Sequence, residues 1–502
     1  MSKPRSSGSR GHLSGGQRTR ETSAPDTGAG RRAGRVVDQV LRAGGGERAD
    51  RPARGDRPAG CCGRADQGSG ARVHRRAGAG GEVLAAQLCG EDFLVGLDRH
   101  RADVAGQALT PVPGLASTTA AGLARRLAPA QWVVVETGLG DVHAIALDRL
   151  GQVAPGRALA LTESVTIDMD TTDVEVYGRL KRGVAFNHQG QRVGRPHVAT
   201  WAEASVALAA DLGSGRDDPR ATASELLGRA LAALPAPARA GRIRLRADAG
   251  YFAGQLARAA LFTDVEFAIG ARRTAPLWRL LDGVPADGWA DAIDLTDTQV
   301  AVTGYCPDWW PAATRLLIRR VRLHLDRGQV SGDPRARRRR TLHPDQRALP
   351  LAELADADAV FGYSFVVTNL DVSTGAKAAE AEHWYRHRTQ VENLFRDSKH
   401  GAALNHLPSG HPAVNRAWMW GALRAATCCG WLHHLTATTR DGRLVGHGVR
   451  GGQAMIATLR RRLVAVPARL VRHARGLTLR LPPGDDLLAE VLARLRVLPA
   501  PS

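Results

Sequence analysis

The chain has 502 residues, room for about three domains at roughly 150 residues each, and its 69 Lys+Arg against 49 Asp+Glu leave a net charge of +20. A surplus of that size favours a polyanionic partner, nucleic acid first, because each phosphate neutralised releases counterions. Hydrophobic residues make up 43%, which excludes wholesale disorder, while no apolar run reaches the ~18 residues of a membrane helix and the N-terminus lacks the apolar stretch of a secretory signal.

Residues 1–81 stand apart. The first 80 hold 17 Gly and 17 Lys+Arg against 7 acids, with no Phe, Trp or Tyr, and carry half of the net charge. So few large apolar side chains cannot offset the entropy of ordering, and the segment is expected to be disordered. It reads as a nucleic-acid-binding tail, as a stretch translated from a wrong frame of a GC-rich gene, or as an organelle transit peptide. Residues 82–157 are expected to form a small helical domain, with L-A-R-R-L following the cap-like Ser117-Thr118-Thr119.

From about 160 the pattern turns to strands. S-V-T-I-D-M-D is a β-branched run closing in acids, D-V-E-V-Y-G alternates directly after it, and H-V-A-T-W follows a basic, Gly-rich loop. An amphipathic helix is predicted from Thr222 to Ala233. R-I-R-L-R-A-D-A-G then reads as a fourth strand, Ala253 to Leu261 as a short helix, and V-E-F-A-I-G-A as a fifth strand. Three strands, a helix, a strand, a helix and a strand are the order of an RNase H-like α/β fold, a mixed sheet flanked by helices, here placed at 158–272.

The acid-bearing helix that should follow is delayed by a β-rich insertion at 273–377, with the patterns A-V-T-G-Y, R-L-L-I-R-R-V-R-L-H-L and Y-S-F-V-V-T. Its tryptophans, Trp278, Trp289, Trp309 and Trp310, read as packing, with a stacking platform for an unstacked base as the functional alternative. The run Arg335, Arg337, Arg338, Arg339, Arg340 reads as a solvated loop or a DNA contact. The core resumes at 378–440, and a basic segment at 441–502 suits DNA-end binding or dimer contacts. Of six cysteines, four are the adjacent pairs Cys61-Cys62 and Cys428-Cys429, which make no disulfide framework and point to a reducing compartment. Cys428, Cys429, His433 and His434 invite a zinc reading, but with no second CxxC nearby they are expected to be helical core.

On a helix predicted from about Ala378 to His400, Tyr385, Arg388, Glu392 and Lys399 fall within an arc of roughly 60° at about 100° per residue. A plain salt-bridged face, with Arg388 and Glu392 at i,i+4, accounts for two of them. It accounts less well for the Tyr and the Lys on the same stripe.

This spacing, Y-x2-R-x3-E-x6-K, resembles the signature of DDE transposases from bacterial insertion sequences and matches it at every position. Asp170-Thr171-Thr172 is similar to that family's D-x-T at the end of the first strand. Ala247-Asp248-Ala249-Gly250-Tyr251 is similar to its second Asp before a Gly-aromatic turn. The likeness covers about residues 90 to 490. It implies that Asp170, Asp248 and Glu392 are catalytic and hold two Mg²⁺ ions, with Mn²⁺ able to substitute, and that Tyr385, Arg388 and Lys399 contact DNA phosphates. It also implies double-stranded DNA as partner, at transposon ends and target, a homodimer in the synaptic complex, no membrane, and a bacterial cytoplasm near the nucleoid.

The chemistry agrees with those residue types. Strand cleavage and strand transfer are in-line displacements at phosphorus, and two hard cations about 3.5–4 Å apart stabilise the attacking and leaving oxygens. Such cations take carboxylate oxygens. Three alternatives stay open: Asp168, two residues before Asp170 and on the same strand face, as the first ligand; Asp248 as an N-cap for the helix near Ala253; and Glu392 as a simple salt-bridge partner. Two other functions stay open as well, a nuclease that cuts without joining and a non-catalytic DNA-binding remnant.

Overall fold

A computed structural model describes residues 81, 83–108, 114–323, 341–342, 360–474, 476–484 and 486–499. The segment 1–80 and the run from Arg335 to Arg340 lie outside the described residues. Two helices lead into the sheet, α1 (Pro129–Val153) and α2 (Pro155–Glu163), each opening on a proline, whose missing N–H would have no helical partner there. Then come β1 (Ser164–Thr171), β2 (Arg192–Trp201), β3 (Val206–Ser214), α3 (Ala223–Ala233), β4 (Arg242–Ala247), α4 (Gly254–Phe262) and β5 (Glu266–Gly270). The rest of the sheet and its covering helices are α5 (Ala275–Asp282), β6 (Thr298–Gly304), β7 (Arg315–Leu323), β8 (Val360–Thr368), α6 (Gly375–Arg386), α7 (Thr389–Gly401) and α8 (Pro412–Thr436).

The eight strands form one mixed sheet in the order β3-β2-β1-β4-β5-β8-β7-β6, with four two-residue strands attached. β1 pairs antiparallel with β2 and parallel with β4, and β4 parallel with β5. Met169 lies opposite Ala247, and Ala247 opposite Ile269. The next residue of β1 is Asp170 and the next after β4 is Asp248, so both acids stand at the same carboxyl edge on neighbouring strands.

Strand alternation decides what each face of β1 does. Val165, Ile167 and Met169 are fully buried in one core with Leu226, Leu227 and Leu256 of α3 and α4. Thr166, Asp168 and Asp170 point the other way, toward α6 and α7. A second core joins α1, α7 and α8 through Leu139, Leu394, Phe395, Met419 and Leu423.

Several expectations are corrected. The second and third strands are β2 and β3; D-V-E-V-Y-G contributes only the stub Val174–Glu175 beside Gly194 and Val193. β3, V-A-L-A-A-D-L-G-S, was not predicted because Ala and Leu favour helix and because Val206–Ala210 is buried continuously, so no period-2 pattern shows. The inserted strands continue the main sheet, β8 pairing antiparallel with β5 at Val366 and Gly270. The N-terminal helices pack onto the same body: Gln87 donates to the Ala402 and Trp418 carbonyls at 2.9 and 3.2 Å, and His143 Nε2 lies 3.0 Å from the Ala207 carbonyl. Ser117 is no cap. It is the first residue inside a helix (Ser117–Arg125) and bonds to Asp98 at 2.5 Å.

The tryptophans divide. Trp278 and Trp310 are buried, Trp289 lies under the Arg320 guanidinium at 3.9 Å, and Trp309 is half exposed. Cys428, Cys429, His433 and His434 lie on α8, with Cys429 and His434 buried. Among the described residues no helix is long and apolar enough to cross a membrane.

Beneath the carboxyl edge, Arg246 of β4 clamps Asp168 with Nε and Nη2 at 2.6 and 2.8 Å, both side chains almost wholly buried. Removing one partner of a buried pair leaves an uncompensated charge, at a cost of about 3–5 kcal/mol. Arg246→Met should therefore lower urea stability by that order, and adding Asp168→Leu should recover most of it. A single variant within about 0.5 kcal/mol of wild type would show that the pair does not hold the two strands.

Candidate active site

The outward face of β1 makes three contacts in succession with what covers it. Thr166 Oγ1 accepts from the Trp384 indole N–H at 3.3 Å, Asp168 takes the Arg246 guanidinium, and Asp170 Oδ2 lies 3.6 Å from Arg388 Nη2. Arg246 also donates to the Trp384 carbonyl at 2.6 Å, and its guanidinium lies 5.2 Å from that ring. Asp168 is therefore consumed in the buried pair, whereas Asp170, one rung further along, is at the edge.

Asp170 Oδ1 accepts from the Thr171 N–H at 2.7 Å. Burial pushes its carboxyl up to about 6; Arg388 works against that rise, and Asp248 and Glu392 add to it. Asp248 Oδ1 accepts from the Gly250 N–H at 2.8 Å, so it caps the short turn Ala249–Tyr251. It does not cap α4, whose N-cap is Ala253. Glu392 is exposed in the first turn of α7, where the helix dipole favours a negative charge. Among the described residues no three His, Cys, Asp or Glu side chains stand close enough to hold a metal ion. The donor set nonetheless suits a hard divalent cation: three carboxylates and no sulfur or imidazole, with Asp170 destabilised by the other two.

The predicted continuous helix is broken. α6 ends at Arg386 and α7 begins at Thr389, with His387 and Arg388 at ψ 49° and 23°. Side chains take over at the break: His387 Nδ1 lies 2.5 Å from the His383 carbonyl, and Arg386 binds Glu382 at 3.0 Å. The one-stripe geometry therefore does not apply to the four signature residues.

Three of the four still converge on the strand ends, from two helices. Tyr385 donates to the Ala247 carbonyl at 3.2 Å, Arg388 to the Met169 carbonyl at 3.1 Å, and Lys399 to Thr172 Oγ1 and the Asp173 carbonyl at 2.6 and 2.8 Å. Burial opposes the Arg388 charge, yet Tyr385, Asp170, Asp168 and Asp248 hold it above its ordinary value. Burial pulls the Lys399 ammonium down, with Asp173 opposing. Arg388 Nε is buried with no hydrogen-bond partner among the described residues.

Sequence reasoning missed two supports. Gly270 ends β5 where a Cβ would lie 2.6 Å from the Tyr385 hydroxyl and 2.8 Å from the Ala249 nitrogen, so any side chain there displaces one of them. The only signal was a glycine closing an apolar strand. Tyr251 is fully buried beside His197, its ring centroid 5.2 Å away, and burial, then Asp170 and Asp248, hold its phenol well above the usual range.

Residues 146–328 and 346–500 match the family described as transposase DDE domain group 1. The match spans more than half of the chain, and the chain belongs to that family. No curated protein matches. Among solved structures, a piggyBac transposase synaptic complex with hairpin DNA is similar at 10% identity and a TM-score of 0.31, over 54% of this chain and 47% of that one. This chain thus spans about half the length of that relative, a likeness too slight to place any residue.

Folding raises the Asp170 carboxyl from its usual 3.8 to about 6. Between those values the folded chain binds the extra proton, so this group's contribution to stability falls as pH rises through the window. Asp170→Asn should therefore be more stable than wild type at pH 7.5, with the difference vanishing toward pH 4. A less stable Asn variant at pH 7.5, by urea midpoint, would mean that burial and the neighbouring acids do not outweigh Arg388 in straining the Asp170 carboxylate.

Proposed function

We propose that this chain is a metal-dependent DNA transposase that cleaves and joins strands at the terminal inverted repeats of an insertion sequence. In this reading the order β3-β2-β1-β4-β5 is an RNase H-like core, β6 to β8 belong to an insertion ahead of the last catalytic helix, and the protein works as a homodimer on double-stranded DNA. The observation that carries it is the placement of Asp170 and Asp248 at the carboxyl ends of neighbouring strands, Met169 lying opposite Ala247, with Arg388 3.6 Å from Asp170 and with burial, then Asp248 and Glu392, raising the Asp170 carboxyl. Perturbation of that kind, in a charged cluster at a sheet edge, is characteristic of catalytic sites.

Asp170, Asp248 and Glu392 would hold the divalent cations, two Mg²⁺ ions in this reading. When bound, such ions neutralise charge on the attacking and leaving oxygens of a phosphodiester. The chain's own residues bind and position. Arg388 keeps a buried Nε–H without a partner among the described residues, suited to a phosphate oxygen by the planar fork of its guanidinium. Lys399 uses two donors on Thr172 and Asp173 and has a third for a phosphate of the bound DNA strand. Tyr385 fixes the β4 carbonyl immediately before Asp248.

Replacing Asp170, Asp248 or Glu392 singly by Ala should abolish Mg²⁺-dependent cleavage of a duplex from the element's end while leaving its binding in gel shift nearly unchanged. Arg388→Ala should lose about 1.5–3 kcal/mol of transition-state stabilisation, read as strand-transfer rate per folded molecule, with Arg388→Lys milder because the charge stays and the fork is lost. Both should also melt below wild type, since Arg388 supports the Met169 carbonyl. Cleavage at the normal rate by any of the three acid variants would remove that acid from the site.

A further inference from the structure

The connection from β1 to β2 is long and built. Asp173, just past the D-x-T turn, takes the Arg195 guanidinium at 2.7 and 3.1 Å and the Asn187 amide at 2.9 Å. Asn187 Oδ1 in turn accepts from the N–H groups of Gln189 and Gln191 at 2.9 and 3.0 Å. Arg192 donates to the Gly178 and Lys181 carbonyls, both at 2.7 Å. Lys181 reaches the Leu407 carbonyl, and the Arg182 N–H donates to the Gly410 carbonyl at 3.1 Å. Gly183 has φ +71°, a conformation natural to glycine, with Pro412 against it.

What this scaffold presents is unlike an ordinary surface loop. Tyr177 is 85% exposed, Leu180 90% and Phe186 58%. Arg179 and Arg182 are exposed among them and pair with no carboxylate among the described residues. From Tyr177 to Arg192 there are four Lys+Arg and no Asp or Glu. Large apolar side chains held out by a hydrogen-bonded backbone call for an occupant, and the positive charge, set against the neighbouring acid Glu175 that accepts from the Tyr177 hydroxyl at 3.2 Å, selects a polyanion. The place selects which one: β2 runs antiparallel to β1 with Val198 opposite Asp170, so its start at Arg192 reaches six residues, about 20 Å, past Asp170 on the same side of the sheet, and Lys399 ties Asp173 to α7.

We propose that residues 177–192 form a wedge that docks on the duplex DNA flanking the scissile phosphate, with Leu180, flanked by Tyr177 and Phe186, entering between base pairs, and Arg179 and Arg182 on the neighbouring phosphates. Inserted apolar side chains unstack base steps and kink the duplex, which would bend the flanking DNA toward the carboxyl edge. The inference rests on the proposed DNA-cleaving function.

The test uses the full chain and duplexes cut from the inverted repeats bordering the gene, with 2-aminopurine placed at each step within about ten base pairs of the cleavage point and random-sequence duplex as control. Wild-type protein should raise the fluorescence of one step. The triple variant Tyr177→Ser, Leu180→Ser, Phe186→Ser should lose that rise and bind about tenfold more weakly, with an unchanged slope of log K against log salt. Arg179→Ala with Arg182→Ala should instead flatten the slope by about 2 and keep the rise at saturation. If wild type cuts the duplex and the triple variant binds, cuts and fluoresces as wild type does, the wedge is wrong and the proposed function stands. Should the triple variant instead convert a dimer to a monomer in sedimentation with DNA binding intact, the surface is a contact between copies. A wild-type protein that neither binds nor cuts the duplex overturns both readings.

Discussion

The Arg246 guanidinium, enclosed between Asp168, the Trp384 carbonyl and the Trp384 ring, joins the three elements on which the edge depends. Asp168 belongs to β1, Arg246 to β4 and Trp384 to α6. The pair is worth little in net free energy against an apolar substitute, because burying two charges costs about what their attraction returns. What it does is fix register. With Asp168 opposite Arg246 in the parallel ladder, Asp170 and the residue after β4 must emerge together. Trp384 held in place sets Tyr385 one residue on, and Arg388 just beyond the end of α6.

The break between α6 and α7 follows from the same constraint. A single straight helix would place its residues on a stripe, but Tyr385 must reach the end of β4 while Lys399 must reach the turn after β1. Two helices with a non-helical pair at His387 and Arg388 reach both. Arg388 at that joint gains the freedom to fold its guanidinium into the space between the strand ends, where Met169 and Asp170 meet it.

Much of this was legible in the chain, and the failures share a cause. β1 announces itself by a β-branched run closing in acids, β4 by alternating apolar residues before an acid and β5 by an apolar run closing in a glycine, and the spacing of Tyr385, Arg388, Glu392 and Lys399 shows without a structure. β3 stayed hidden because a strand buried on both faces shows no alternation, and its alanines favour the wrong element. The helix break stayed hidden because nothing in R-H-R-T is a helix breaker; the cause lies in contacts far away in sequence. Asp170 is favoured over Asp168 in the sequence by its D-x-T context alone; what Asp168 does instead, pairing with Arg246, is not visible from alternation.

The hairpin of β7 and β8 carries a consequence for how the gene can change. Leu323 lies opposite Val360, so whatever chain joins them leaves and re-enters the sheet at neighbouring points. The cost of closing a loop grows only slowly with its length, and β8 still delivers the chain to the foot of β5 and the start of α6. Outside Thr341–Leu342, which pairs with Tyr363 and Gly362 of β8, segments of very different size and composition can therefore be exchanged at that junction, by evolution or by an engineer, while the spacing of the carboxyl edge stays as it is.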